Sequence, residues 1–197
     1  MKKLYLIDGA AGTGKSDLIE YIQTKHSINA NALFKYTTRP ERTVEEAKKA
    51  DLIFVEDDQF NDYIAKSKKN SDSLFYHYHY GGFKYGFFKK DLDKSISEYD
   101  NTFVIIRNHP LISQILNDYK YIAFTVHIYV YTDRSLVVER LKKDGFSDGA
   151  IAFRLMRSES AWQDYIENFN LNMKIIINNS NKSDFHRGIN SMIDSRC

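Results

Sequence analysis

Cysteine is almost missing from this chain: its 197 residues hold one, Cys197, so no disulfide can form within it. Proline occurs twice, at Pro40 and Pro110, and glycine nine times. No Pro/Gly/Ser-rich linker therefore divides the chain, and neither a repeat nor a low-complexity segment is present. Neither sign of charge dominates, because 28 Lys and Arg against 26 Asp and Glu leave a net charge of +2. The basic pairs (Lys2-Lys3, Lys48-Lys49, Lys68-Lys69, Lys89-Lys90, Lys142-Lys143) are scattered along the sequence. Nucleic-acid binders gather positive charge on one face, so no nucleic-acid partner is expected. Long apolar runs are also lacking. Only four apolar residues follow Lys3 before Asp8, too few for a secretory signal, and no stretch approaches membrane-spanning length. The expectations are no membrane association and a cytoplasmic location.

What remains is ordinary globular composition, 43% hydrophobic and 27% charged. Short apolar runs alternate with helix-like stretches, the pattern of parallel βαβ construction. Sheet strands are predicted at 3–8, 32–36, 102–106, 122–131 and 173–178. Helices are predicted at about 15–26, 109–119, 134–143, 149–168 and 183–194. Residues 52–88 differ: DLIFV, a short helix near 57–67, then SLFYHYHYGGFKYGFF, an aromatic strand pair around Gly81-Gly82. The expected fold is α/β in three layers, α/β/α, around a parallel five-stranded sheet. A small β-rich lobe is inserted and a helical lid lies near 142–157.

Residues 9–16, GAAGTGKS, satisfy G-x-x-x-x-G-K-[ST]. The physical reading is a phosphate cradle made by Gly9, Ala10, Ala11, Gly12, Thr13, Gly14, Lys15 and Ser16. Glycines let successive N–H groups turn inward, and the helix opening near Lys15 adds its positive end. Lys15 reaches the outer phosphates of ATP, and the Ser16 hydroxyl is the candidate ligand for Mg²⁺. The setting agrees, since the apolar strand LYLI precedes the loop and SDLIEYIQ follows it. Asn181-Lys182-Ser183-Asp184 matches a guanine-reading NKxD, but no D-x-x-G follows a strand, so it reads as a loop capping the final helix.

Residues 36–42 read YTTRPER, 51–60 read DLIFVEDDQF and 81–86 read GGFKYG. Together with the cradle and the inserted lobe, these segments resemble the guanylate kinase family across nearly the whole chain. The resemblance implies one domain, with a core of 1–35 and 89–197, an acceptor-binding lobe of about 36–88 and the lid. It implies Mg-ATP as phosphoryl donor and a small phosphorylated acceptor, nearest to a nucleoside monophosphate such as GMP, handled by a monomer or homodimer. Arg39 and Arg42 match the family's pair of phosphate-holding arginines, and two planar guanidinium forks suit that task. Tyr85 matches the hydroxyl donor of the glycine turn. Arg154 matches a lid arginine that closes over the transferring group. Arg157, one turn on, is a second lid arginine or a solvated helix charge.

The departures concern the acceptor base. Tyr76 stands where a Glu is expected, Phe87 where Ser or Thr is expected, and Arg107 near the expected Asp; Leu52 and Asp144 also depart. An arginine offers five donors and no acceptor, so it cannot face the N–H groups of guanine. Arg107 suits an acceptor with a further anionic group, as in the ribose 1,5-bisphosphate kinase branch of the family, which this chain resembles at Tyr36, Thr38, Arg39, Pro40 and His79. A different class stays open: the same fold serves as a non-catalytic binding module, and the acidic pair expected after strand 102–106 is missing.

Overall fold

The computed structural model describes residues 2–25, 29–41, 51–69, 73–168 and 173–194. Strands β1 (Lys3–Asp8), β2 (Ala30–Ala32), β7 (Asn101–Ile105), β8 (Phe124–Tyr131) and β9 (Met173–Ile177) form one all-parallel sheet. Their order is β2-β7-β1-β8-β9, so β1 lies at the centre. Its residues from Leu4 to Asp8 are all buried, which requires cover on both faces. On one face Tyr5, Ile7, Phe103 and Ile128 pack on helices α1 (Lys15–Thr24) and α7 (Lys182–Asp194) through Leu18, Ile22, Phe185 and Ile189. On the other, Leu4, Leu6, Val104 and Ile106 meet α3 (Lys89–Glu98) and α4 (His109–Tyr119) through Leu92, Ile96, Ile112 and Ile115. The three layers and five parallel strands of the sequence reading are all present.

A second sheet holds β3 (Lys35–Thr37), β4 (Leu52–Phe54), β5 (Phe75–Tyr80) and β6 (Phe83–Phe88), in the order β4-β3-β6-β5. Helix α2 (Asp57–Lys69) closes its outer face, where Phe60, Tyr63, Phe75, Phe88 and Tyr36 pack ring on ring. Gly81 and Gly82 turn β5 into β6 with φ of 65° and 83°, a left-handed pair that a tight hairpin needs. Helices α5 (Arg134–Lys143) and α6 (Asp148–Asn168) pack through Val137, Leu141 and Ile151, with Phe146 and Leu155 against them. Among the described residues no helix is long and apolar enough to cross a membrane.

Three elements correct the sequence reading. The strand expected over 32–36 is two strands, because the chain leaves the central sheet after Ala32 and joins the second sheet at Lys35. There the Lys35 ammonium is buried, donates to the Ile105 carbonyl at 2.8 Å and pairs with Asp51 at 3.3 Å, tying the second sheet to β7. Helix α3 was not expected, since Leu92 and Ile96 are the two apolar residues of KKDLDKSISE. The strand expected from 122 starts at Phe124, with Tyr121 and Ile122 exposed in a turn.

His127, on β8, carries a measurable consequence. Burial pushes its imidazole down to about 4, with the Asp8 charge opposing and His109 adding to the fall. The folded chain therefore holds this ring neutral, whereas an unfolded histidine takes up a proton near pH 6.5. Its contribution is complete above that pH and is lost as pH falls towards 4, about 2 kcal/mol between pH 7 and pH 5. Urea unfolding at the two pH values should show the loss in the parent and a flatter dependence in His127→Leu. An unchanged dependence in the variant would place the titrating group elsewhere.

Candidate active site

At the C-terminal end of β1 the chain turns through GAAGTGKS into α1. Gly9 has φ 143°, and a Cβ there would lie 2.5 Å from the Val130 carbonyl oxygen, so the loop can pass β8 only as glycine. The loop is pinned from behind. Asn178 donates to the Thr13 carbonyl at 2.9 Å, while Thr132 and Arg140 donate to the Asn178 carbonyl at 3.1 and 2.9 Å. The Lys15 ammonium folds over the loop and donates to the Gly9 and Ala10 carbonyls at 2.7 and 2.5 Å. Burial, and next the Arg107 charge, push Lys15 well below an ordinary lysine, with Asp8 opposing. Ser16 stands exposed in the first turn of α1.

Asp8, the residue before the loop, went unnoticed as a site residue because it reads simply as the end of an apolar strand. One of its oxygens accepts from the Gly9 N–H at 2.6 Å and lies 3.7 Å from Arg107 Nε; the other meets His109 Nε2 at 3.0 Å. Burial alone would raise this carboxyl, but His109, Arg107 and the Gly9 N–H together hold it below the usual range. After β7, where an acidic pair was expected, stands Arg107, which faces the Asp8 carboxylate of the adjacent strand. The signal was a charged residue closing a fully buried central strand.

The second sheet turns alternate side chains to the cleft. Tyr78 stacks on Tyr85 with centroids 5.4 Å apart, and Tyr80 stands beside them. Arg39 is buried; its backbone N–H donates to Thr37 Oγ1 at 3.1 Å, its guanidinium donates to the Pro40 carbonyl at 3.0 Å, and it lies 5.4 Å from the Phe54 ring. A cavity of about 630 Å³ opens beside it, lined by Thr38, Phe54, Glu56, Gly82 and Phe83 among others. From α6, Arg154 stacks on Phe146 at 4.1 Å and Arg157 on Tyr80 at 4.3 Å. Arg157 therefore meets the second sheet rather than standing in solvent. Burial, and then the Arg157 charge, lower Arg154 from the ordinary arginine range, with Arg39 adding to the effect.

Lys15 thus lies in the fields of Arg107 and Lys35, Lys35 in that of Arg39, and Arg154 in those of Arg157 and Arg39, with Asp8 and Asp51 among them. Such an excess of positive charge between two sheets and a helix pair is suited to polyanions.

Two expected acceptor residues lie elsewhere. Tyr76 is turned into the core, 2% exposed, where its hydroxyl donates to Asp118 at 2.9 Å. His79 has the opposite parity to Tyr78 and Tyr80 and is exposed on the outer face, paired across the ladder with Lys84. Arg42 lies outside the described residues. Among those described, no group of three or more His, Cys, Asp or Glu side chains could hold a metal. Mg²⁺ does not need one, since it keeps several waters and binds through one or two side chains and substrate phosphates. The exposed Ser16 hydroxyl beside the phosphate cradle fits that use.

No family model matches this sequence, and no curated protein matches it. Among solved structures the chain is similar to the guanylate kinase of Anaplasma phagocytophilum, at 17% identity and a TM-score of 0.60. The match covers 98% of this chain and 85% of that one. The chain has a guanylate-kinase-like fold of the P-loop NTPase kind.

Proposed function

We propose that the chain is an ATP-dependent phosphotransferase that moves the γ-phosphoryl group of Mg-ATP to a phosphate group on a small acceptor. The observation that supports this reading is a chain of cationic side chains from the loop to the helix pair. Lys15 folds over the loop in the field of Arg107, Arg107 and Arg157 share the Tyr80 ring at 4.1 and 4.3 Å, and Arg154 lies in the fields of Arg157 and Arg39. Phosphoryl transfer depends mostly on positioning and charge stabilisation, and these side chains supply both. In this account the core is 1–35 and 89–197, the acceptor lobe about 36–88 and the lid about 142–157.

The loop N–H groups of residues 9–16 hold the donor phosphates, and Lys15 exchanges its two loop carbonyls for β- and γ-phosphate oxygens. Arg39, with Arg42, binds the acceptor phosphate, and Tyr85 donates a hydroxyl to it. An acceptor phosphate oxygen then bonds to the γ-phosphorus as the bridging P–O bond to ADP breaks. Arg154 and Arg157 neutralise charge on the equatorial oxygens during this step. Ser16 would help hold Mg²⁺, which when bound would supply further neutralisation of the developing charge.

The nearest acceptor by fold is a nucleoside monophosphate. Arg107 favours a second reading, because its guanidinium stands 4.1 Å from the Tyr80 ring centroid, where a base-reading carboxylate would be needed. An acceptor with a second anionic group, such as ribose 1,5-bisphosphate, meets that arginine directly. The test is ATP consumption with Mg²⁺ against GMP, dGMP, AMP, CMP, UMP, dTMP and ribose 1,5-bisphosphate. Turnover with the bisphosphate alone supports Arg107 as an anion contact. Fast turnover with GMP and none with the phosphosugar rejects that second reading and retains the first.

A further inference from the structure

Tyr80 is the last residue of β5 and is half-buried on the cleft side. Two guanidinium groups from different parts of the chain stack on its ring. Arg107, from the end of β7 in the core, lies 4.1 Å from the ring centroid, and Arg157, from α6, lies at 4.3 Å. Arg157 also rests against Gly81, where a Cβ would collide with both of its terminal nitrogens. Core, second sheet and helix pair therefore meet at one aromatic side chain.

The neighbouring contacts give this meeting point a direction. Arg107 Nε faces the Asp8 carboxylate at 3.7 Å, an ion pair without a hydrogen bond, and the same carboxylate accepts from the Gly9 N–H at the start of the loop. Tyr78, two residues before Tyr80 on the same face, is buried and stacks on Tyr85. Arg154 differs from Arg157 in a telling way. Its stacking partner, Phe146, belongs to the same helix pair, so Arg154 keeps its place wherever that pair moves. Arg157 lies over Phe153 of its own helix at 5.5 Å but closer, at 4.3 Å, over Tyr80 of the second sheet, so its place depends also on how that sheet and the helix pair sit together.

We infer that Tyr80 is a positioning residue, whose ring sets Arg107 and Arg157 at one wall of the cleft and ties α6 to the acceptor-side sheet. Two like charges would otherwise separate, and the negative face of the ring is what makes their approach favourable. The planar stack also removes rotamer freedom from a long lid side chain before any phosphate arrives. For its purpose, though not for its geometry, the inference rests on the phosphotransfer reading.

Amide hydrogen exchange on the full ligand-free chain tests it, comparing residues 150–157 of α6 with residues 75–79 of β5. Tyr80→Leu keeps apolar bulk and loses the aromatic face. It should speed exchange in 150–157 by about tenfold, the scale of losing two partly buried cation–π contacts, and leave 75–79 unchanged. Tyr80→Phe should restore the parent rates to within about twofold, since the ring and not the hydroxyl does the holding. Arg157→Lys, which keeps charge but not the planar stack, approaches the same contact from the lid and should also release 150–157. Parent-like exchange in 150–157 for Tyr80→Leu or Arg157→Lys overturns the inference, as does equal acceleration of both segments. No acceptor is needed, so failure here leaves the phosphotransfer reading standing, and a lack of turnover leaves this result standing.

Discussion

Lys15→Ala should lower phosphoryl transfer by about a thousandfold, the scale expected when a principal charge contact to the transferring group is removed. The fold should persist. In the ligand-free chain the ammonium is occupied with two loop carbonyls, at 2.7 and 2.5 Å, and it lies in the field of Arg107. Its lowered pKa means that the folded chain disfavours the charged form. That cost is present while the lysine is protonated and is relieved as pH rises through its folded value. Removing the side chain removes the cost along with the function, so the melting temperature should stay level or rise slightly. Full activity in Lys15→Ala, or loss of the fold with loss of activity, would contradict the assignment.

The second large effect is expected at Arg39. Its guanidinium is buried beside Phe54 and its backbone is held by Thr37, so its position is set by the second sheet rather than by solvent. Arg39→Ala should raise the acceptor KM by about a hundredfold, corresponding to loss of a charge-assisted pair of hydrogen bonds worth about 3 kcal/mol. ATP affinity, measured by titration calorimetry, should change by less than about twofold, because the donor sits on the loop after β1. Arg39→Lys should recover little, since an ammonium cannot make two parallel bonds. A variant that loses ATP and acceptor affinity alike would move Arg39 into the donor site.

The fold was largely legible because its strongest signals are local. Five apolar runs with helical stretches between them dictate a covered parallel sheet, and GAAGTGKS carries its own strand–loop–helix setting. What escaped was set by tertiary placement. Lys35 looks like a mid-strand residue in ALFKY, yet it marks the crossing between two sheets because its ammonium finds Ile105 and Asp51. Helix α3 shows two apolar residues and is held by what Leu92 and Ile96 meet in the core. At the site, the motif residues were readable and the supporting ones were not. Asp8 acquires its role from Arg107 and His109, about a hundred positions away. Tyr76, Tyr78 and Tyr80 are alike in sequence, and their positions along the sheet separate two core residues from the half-buried Tyr80 that Arg107 and Arg157 meet.

The most direct test of the central claim follows the γ-phosphoryl group itself. ATP labelled at that position is incubated with the full chain, Mg²⁺ and a mixed pool of phosphorylated nucleosides and sugars, and the products are separated. The account predicts label on an organic phosphate, formed only when the pool is present and lost in Lys15→Ala. Label released as inorganic phosphate without transfer, or retained in ATP despite measured binding, would contradict it and favour a hydrolase or a non-catalytic nucleotide-binding module.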